Sequence, residues 1–272
     1  LRAQANGRSF QSYSFSLTEP WLGGRKPNSL TVSLNHSISR LPNASYEFTN
    51  ASSLKQSGVT IGLGRRLEWP DNYFQLTNSL SFLVYNYSNY FGSSALPAVG
   101  KTNSITFNTT LSRNSIVNPM YPATGSSISL GLTLTPPYSL WRDPSYYDDV
   151  DQRYAWIELH KWMFDAKFYI KPLGSNKPVG RSLVLETKAH FGLIGTYNNT
   201  VGYGPFERFL LGGAGLTGGF NSFVLGQEIV GLRGYPDNQV TPPLYSQRGS
   251  SSASQTSGIE GGIVYNKFGL EL

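Results

Sequence analysis

The chain has no cysteine among its 272 residues, which excludes a disulfide framework and thiol-ligated metal sites. Charged residues are also scarce, at 14% of the chain against about 25% in average soluble domains. No run of about 18 apolar residues occurs, so the sequence predicts no transmembrane helix. The opening LRAQANGRSF has no apolar core and is not a signal peptide. We therefore expect that one was removed or that the chain begins within something larger.

The excess of positive charge does not indicate a nucleic-acid partner. Although the net charge is +6 and the pI is about 9.4, no basic run is longer than a pair such as Arg65-Arg66. A dispersed excess is typical of a solvated surface, whereas phosphate binding needs a basic patch or stripe. We therefore predict no binding of nucleic acid.

Alternation of apolar and small polar residues is the dominant pattern. In one segment Leu30, Val32, Leu34 and Ile38 are separated mainly by serine, threonine and asparagine. Similar alternation recurs in residues 58–64, 103–113 and 126–135. Such a pattern places one face of a strand on an apolar medium and the other on a polar one. Because the polar positions carry few lysines or glutamates, it favours an all-β fold, a transmembrane antiparallel β-barrel, over a soluble sandwich.

The same pattern predicts about nine strands. They lie near residues 10–19, 28–40, 56–68, 73–89, 101–114, 125–136, 152–171, 181–198 and 259–272. Two of them approach twenty residues, whereas strands of soluble sheets usually have about five or six. Connections that are short and rich in proline, glycine and asparagine alternate with longer polar ones, an asymmetry expected of outer-membrane barrels. The longer ones span about 41–54, 89–100, 136–151 and 198–258.

The predicted strand count is odd. Single-chain bacterial barrels have an even number of strands. An unpaired strand edge is not tolerated in lipid, because its backbone groups find no partner there. We therefore expect the chain to be incomplete, or to be completed by another polypeptide.

Candidate sites for chemistry are weak. GAGLTG, residues 213–218, matches a dinucleotide fingerprint in letters, but no strand–helix pattern surrounds it, so a flexible loop is favoured. His36, His160 and His190 lie on separate predicted strands without metal-ligand spacing; the last two, if they face each other, form a polar pair of the lumen wall. The acidic run 146–152 lacks the glycine and terminal glutamate of an EF-hand. We predict no enzyme, no catalytic residue, no cofactor and no metal.

Several motifs follow one another in a fixed order along the chain. They are a strand–turn–strand with Glu19-Pro20, a turn with Pro122 and Gly125, the lead-in PFERFLLGGAGLTGG with Gly212 and Gly213, the GLRGY of Leu232, Arg233, Gly234 and Tyr235, and the closing GIVYNKFGLEL. This ordered set resembles the BamA family of outer-membrane assembly factors. The stretch DVDQRYAWIELHKWMFDAKFYI is similar to versions from Bacteroidota.

The resemblance implies a barrel of about sixteen strands, preceded by POTRA domains. Residues 1–272 would correspond to roughly the fourth to twelfth strands, without the first and last strands and without the POTRA domains. It also implies that a long signature loop, residues 198–258, folds back into the barrel lumen. Arg233 would then be a buried cation, Gly234 would allow close approach of backbones, and Tyr235 would pack against the wall.

A buried arginine needs a paired anion, because an isolated interior charge is costly. The acids expected from the resemblance lie beyond Leu272. Glu271 alternates with Leu270 and Leu272, so we expect it to face the lumen, where it is a possible lumen acid for Arg233. On the residues alone, a solvated arginine beside a β-turn is the alternative, since loops are mostly exposed.

The function implied by the resemblance is folding and insertion of other β-barrel proteins into the bacterial outer membrane. The implied partners are unfolded outer-membrane client proteins, accessory lipoproteins of the assembly complex, periplasmic chaperones and the lipid bilayer. Three alternatives stay open: a related translocation/assembly or two-partner secretion transporter, a passive porin-like channel, and a soluble carbohydrate-binding sandwich. The channel accounts for the alternation and the loops, but not for the ordered motifs around Arg233.

Overall fold

A computed structural model describes residues 1–24, 28–42, 47–90, 96–174, 182–199, 202–213, 228–235, 240 and 261–272. Ten strands form one antiparallel sheet: β1 (Arg2–Asn6), β2 (Phe10–Glu19), β3 (Asn28–Pro42), β4 (Phe48–Arg66), β5 (Phe74–Ser88), β6 (Val99–Asn114), β7 (Gly125–Leu134), β8 (His160–Gly174), β9 (Ser182–Gly195) and β12 (Val264–Glu271). Each strand pairs with its neighbour in the chain, and β12 pairs with β9, so β1 and β12 form the two edges. β10 (Phe209–Leu211) and β11 (Glu228–Val230) make a separate parallel pair.

In the residues that the structure describes, helical structure is confined to short connections. Three 3-10 turns span Leu22–Gly24, Tyr138–Leu140 and Pro144–Tyr147, and one α-helical turn, α1, spans Val150–Arg153. Within the described ranges, no helix has the length and apolar character needed to cross a membrane. The long strands therefore account for most of the regular structure.

The register collects the apolar positions on one face of the sheet. Phe15, Leu34, Val59, Phe82 and Ile105 follow one another as direct partners across five strands. All but Ile105 remain exposed. We name this the outer face and the opposite one the inner face. An exposed apolar band that runs across many strands is the surface that lipid covers in a transmembrane barrel, and the antiparallel, barrel-type fold predicted from the alternation is confirmed.

The sheet has ten strands, where the pattern predicts about nine. The additional strand is β1, whose sequence RAQAN carries no large apolar residue and is exposed throughout. Its five residues are held by backbone pairing with β2, from Arg2 opposite Ser14 to Asn6 opposite Phe10. Period-two hydrophobicity cannot detect such a strand, so the predicted count is one short of the ten strands described for this sheet. The partial barrel predicted from the sequence is consistent with a sheet that has β1 and β12 as open edges.

Two strand boundaries differ from the prediction by the largest margin, eight residues each. β8 begins at His160 instead of residue 152, because the residues before it pair elsewhere: Asn103 of β6 accepts from the amide of Ile157 and donates to Ala155, at 2.9 and 2.8 Å. β4 begins at Phe48, inside the expected loop 41–54, since its polar first half still pairs with β3 and β5.

The hydrophobic core lies between the inner face and the loops at the long-loop end of the strands. The strands of the large sheet contribute Tyr85, Tyr87, Ile194 and Tyr265, and the segments outside that sheet contribute Tyr90, Leu96, Ile157, Leu159, Phe206 and Phe209. Since the described strands form no second large sheet against this one, the soluble sandwich is not the architecture of this part of the chain. The core instead packs the loops against the inner face of the large sheet, which forms the barrel wall.

Candidate functional site

The signature loop contacts the wall through the small sheet of β10 and β11. Leu210 pairs with Ile229 in parallel register, so two segments of the loop lie side by side. Phe209 also exchanges backbone hydrogen bonds of 3.0 and 2.8 Å with Gly262, just before β12. Chain segments far apart in sequence therefore meet at one place on the inner face.

Phe209 is the apolar anchor of this contact. It is completely buried, and its ring centroid lies 4.6 Å from that of Tyr265 in an edge-to-face arrangement. Both rings lie over Gly192 of β9, where an added Cβ would come within 2.6 Å of Phe209 Cζ and 2.2 Å of Tyr265 Cε1. A glycine in the wall thus makes the space that the loop fills.

Lys161 is the charged anchor. It lies on β8, is only 7% exposed, and its Nζ is 3.0 Å from Glu228 Oε2 and 3.6 Å from Glu207 Oε2. The same ammonium lies 5.0 Å from the centroid of the Phe209 ring, at cation–π distance. Burial raises the pKa of Glu207, an effect that the positive charge of Lys161 opposes.

Arg208 ties the loop to itself and to the segment before β12. Its guanidinium donates to three backbone carbonyls: Gly204 at 2.9 Å, Gly261 at 3.1 Å and Tyr203 at 3.3 Å. Backbone carbonyls in a loop need donors when they leave water, and one planar guanidinium supplies several. The lead-in is therefore held by side chains as well as by backbone pairing.

The motif arginine lies differently from what the resemblance implies. Arg233 has a side chain that is 93% exposed, and its Nη1 is 3.8 Å from Glu271 Oε1. The structure thus brings the two predicted residues together, but the expectation of a buried cation is wrong for this structure. The reason is that Glu271 is itself half-exposed and lies near the end of the edge strand β12, so the contact is open to water.

Neither motif neighbour of Arg233 meets its expectation. Tyr235 is half-exposed instead of packed on the wall. Gly234 has φ +87, and within the described residues an added Cβ would meet no heavy atom within 4 Å, so the positive φ and not close packing favours glycine there. Leu232 donates its amide to Gly213, and the amide of Gly213 donates to Tyr235, at 3.0 and 2.9 Å.

The lead-in glycines have a clear backbone role. Gly212 and Gly213 have φ values of +131 and +67, a region that residues with a Cβ rarely adopt. Gly212 donates to the carbonyl of Val230 at 3.1 Å, which continues the β10–β11 pairing. The rest of GAGLTG, from residue 214, lies outside the described residues.

Glu271 belongs to a charged row on the inner face. Lys188 of β9 lies 3.0 Å from both Glu271 and Glu186, and Glu186 accepts from the hydroxyl of Tyr169 at 2.6 Å. The row crosses β12, β9 and β8, so a lumen-facing Glu271 is what the register produces. Its closer partner is Lys188, not Arg233.

The predicted turn motif is formed at the opposite end of the strands. Gly125 opens β7 with φ +112, and an added Cβ would lie 2.7 Å from the carbonyl oxygen of Ser115. Pro122 lies in the same connection, partly buried. In the first hairpin, Glu19 ends β2 and accepts from the amide of Trp21 at 3.3 Å, as a turn residue.

The histidines do not come together. His160 pairs with Gly195, and His190 faces Asp165, to which its Nδ1 is hydrogen-bonded, so the suggested facing of His160 and His190 does not occur. His36 bonds to Ser57 at 2.8 Å. In the described part of the chain, no three His, Cys, Asp or Glu side chains are grouped to hold a metal.

Comparison with known proteins identifies the family. The family model described as the Omp85 superfamily domain matches residues 1–272. The chain belongs to the Omp85 superfamily. Among solved structures, the Omp85 chain is similar to the crystal structure of BamA from Haemophilus ducreyi lacking POTRA domains 1–3, at 15% identity and a TM-score of 0.54. The match covers 76% of this chain and 37% of that BamA chain, so this chain spans less than half of its length.

These comparisons confirm the resemblance at the level of family and barrel fold. Comparison with curated proteins found no match. The similarity to versions from Bacteroidota, and the correspondence to roughly the fourth to twelfth strands, stay predictions. At 15% identity, the likeness shows the fold of this Omp85 chain and carries no residue roles.

Sequence reasoning missed the residues that hold the loop. Lys161, Glu207 and Glu228 stand in unremarkable local sequence and meet only in the folded chain. One signal was available: Gly192 interrupts an apolar strand, and a glycine inside a strand often marks the close approach of another segment. Nothing in the sequence indicated which segment approaches.

Proposed function

We propose that this chain is part of an outer-membrane machine that folds and inserts other β-barrel proteins. The observation that carries the proposal is the docked loop: a member of the Omp85 superfamily has GLRGY in a loop, two segments of which are held on the inner face by Phe209 and Lys161. The BamA-like barrel supports the same assignment at the level of fold. The protein acts in the bacterial outer membrane.

The mechanism requires no covalent chemistry. A client strand leaves water when its apolar face meets lipid, and its backbone groups must pair because lipid offers no partner. The edge of the barrel wall serves as a template on which client strands pair, and its outer face is apolar and exposed. Insertion proceeds by strand addition at an opening seam, with local thinning of the bilayer. The signature loop holds the wall in a competent shape.

The implied partners belong to this proposal. They are unfolded outer-membrane client proteins, accessory lipoproteins, periplasmic chaperones and the bilayer itself. A related translocation/assembly factor or a two-partner secretion transporter is the neighbouring assignment, and it differs in the substrates handled and not in the barrel chemistry.

A passive porin-like channel is the second candidate, favoured by the charged row of Glu186, Lys188 and Glu271 on the inner face. Against it, the aromatic core covers the long-loop end of that face. Tyr85, Tyr87 and Phe209 are buried there by the loops, where a diffusion pore would leave the wall open to water. The seated loop therefore supports the insertase more than the channel.

The test is depletion in the cell that encodes the protein. Its gene is placed under a repressible promoter and complemented with the wild type or with Arg233→Ala, and folded outer-membrane barrels are quantified by heat-modifiable gel migration. A general loss of folded barrels on depletion, restored by the wild type, is expected. Normal levels of folded barrels after complete depletion would sink the insertase and leave the channel.

A further inference from the structure

Lys161 lies where three parts of the signature loop meet the wall. Its ammonium contacts Glu207 before β10, the ring of Phe209 in β10, and Glu228 at the start of β11. The lysine belongs to β8, a strand with paired neighbours on both sides, so its backbone is fixed by the sheet. A single wall residue thus touches two separate segments of the loop.

The contrast with Arg233 is one of burial. Lys161 is 7% exposed and its shorter ion pair is 3.0 Å long, whereas Arg233 is 93% exposed and 3.8 Å from its acid. Exposed ion pairs are screened by water and add little to stability. The difference lies in the cations, since Glu228 is 38% and Glu271 46% exposed; the buried ammonium of Lys161 needs its two acids because an uncompensated buried charge is strongly unfavourable.

We propose that Lys161 is the positioning residue that seats the signature loop, and that its charge, more than that of Arg233, decides whether the loop is docked. Without the ammonium, Glu207 and Glu228 face each other beside an apolar ring with no cation between them. Both acids are partly exposed, at 29% and 38%, but their like charges beside the ring repel with no cation to offset them, so β10 and β11 leave the wall. The proposal takes from the proposed function only its consequence for barrel assembly.

The experiment measures hydrogen–deuterium exchange in the full-length protein folded in detergent. Peptides covering 206–213 and 228–235 report exchange in the two docked loop segments, and peptides of β3 to β5 report exchange in the barrel. Lys161→Met is expected to speed exchange of the loop peptides by roughly tenfold or more while the barrel peptides stay protected. Lys161→Arg keeps the charge and is expected to keep the protection.

Lys167→Met is the matched control. Lys167 lies on the same strand and the same face, six positions along, and within the described residues it makes no ion pair with the loop. It and Arg233→Ala are expected to change loop exchange by less than about twofold. Unchanged exchange in Lys161→Met, or an equal effect of Arg233→Ala, overturns the proposal.

A charge-swapped double variant keeps the test decisive if Lys161→Met does not fold. Lys161→Glu combined with Glu228→Lys keeps one cation between two acids, and slow loop exchange in this variant supports the positioning role. Fast loop exchange with an intact barrel overturns it. The two proposals fail separately: normal levels of folded barrels after complete depletion reject the proposed function alone, whereas a docked loop in Lys161→Met rejects the positioning role alone.

Discussion

Gly192 of β9 leaves the space in which Phe209 of the signature loop is buried, since an added Cβ would lie 2.6 Å from Phe209 Cζ. The wall residue and the loop residue are 17 positions apart, with the first loop segment between them. This packing holds the loop by shape complementarity, in addition to the ion pairs that hold it at Lys161. The two contacts are separable by mutation.

Gly192→Ala is expected to destabilise the docked loop, because the rings of Phe209 and Tyr265 must move out of contact distance. Overpacking of a tight site costs about 1–3 kcal/mol. The measurement is the urea concentration at the midpoint of loop opening, monitored by hydrogen–deuterium exchange of peptide 206–213. Gly131→Ala is the control, since an added Cβ on that inner-face glycine of β7 meets its nearest atom at an ordinary 3.6 Å. Equal effects of the two variants contradict the prediction.

Arg233→Ala is expected to leave the stability of the folded protein within about 0.5 kcal/mol of the wild type, because surface substitutions rarely do more. Its guanidinium is 93% exposed and its contact with Glu271 is long. The check is urea unfolding of both proteins in the same detergent. A large fall in stability means that Arg233 is buried in the functional state. Lost barrel assembly without lost stability would locate its role in the working cycle.

Asp71→Asn is expected to weaken the turn between β4 and β5 in a pH-dependent way. Desolvation alone would raise the pKa of Asp71, but hydrogen bonds from the Tyr73 amide and from Arg113 outweigh it and lower the pKa below 3.8. Since the folded pKa is lowered, the contribution is present above the ordinary value and is lost as pH falls through the folded pKa.

The unfolding midpoints of wild type and Asp71→Asn should therefore differ at pH 7 and converge in strong acid. The Asp71–Arg113 ion pair, 2.9 Å long, is the physical origin. Arg113→Lys serves as the companion variant, because it keeps the charge but cannot reproduce the fork that reaches Asp71, Ser115 and Ser126 together. A difference that persists unchanged into strong acid refutes this account.

Gly125→Ala is expected to destabilise the β6–β7 turn for two reasons. Its φ of +112 is unfavourable for a residue with a Cβ, and the added atom would lie 2.7 Å from the Ser115 carbonyl. Strained backbone of this kind costs about 1–3 kcal/mol. Gly7→Ala has a positive φ of +54 but no described atom within 4 Å, so it isolates the backbone cost, and its smaller effect on urea unfolding is the expected comparison.

Most of the sheet was predictable because its information is local. Alternation needs only neighbouring residues, and it placed β2, β3, β5 and β7 within two residues of their observed ends. β1 escaped prediction because backbone pairing alone holds it. The start of β8 was not predicted because the residues before it form backbone hydrogen bonds with Asn103, which is far away in sequence.

The sequence by itself determined most strands of the large sheet, the apolar outer face and the family, since periodicity and ordered motifs can be read without any knowledge of contacts. Only the tertiary structure decided what holds the loop. Lys161 and Glu228 are 67 residues apart, and the sheet register together with the loop path brings their charges to 3.0 Å. Burial then sets the strength of each pair, which is why the tertiary structure gives Lys161 the stronger hold and leaves the arginine of the motif in water.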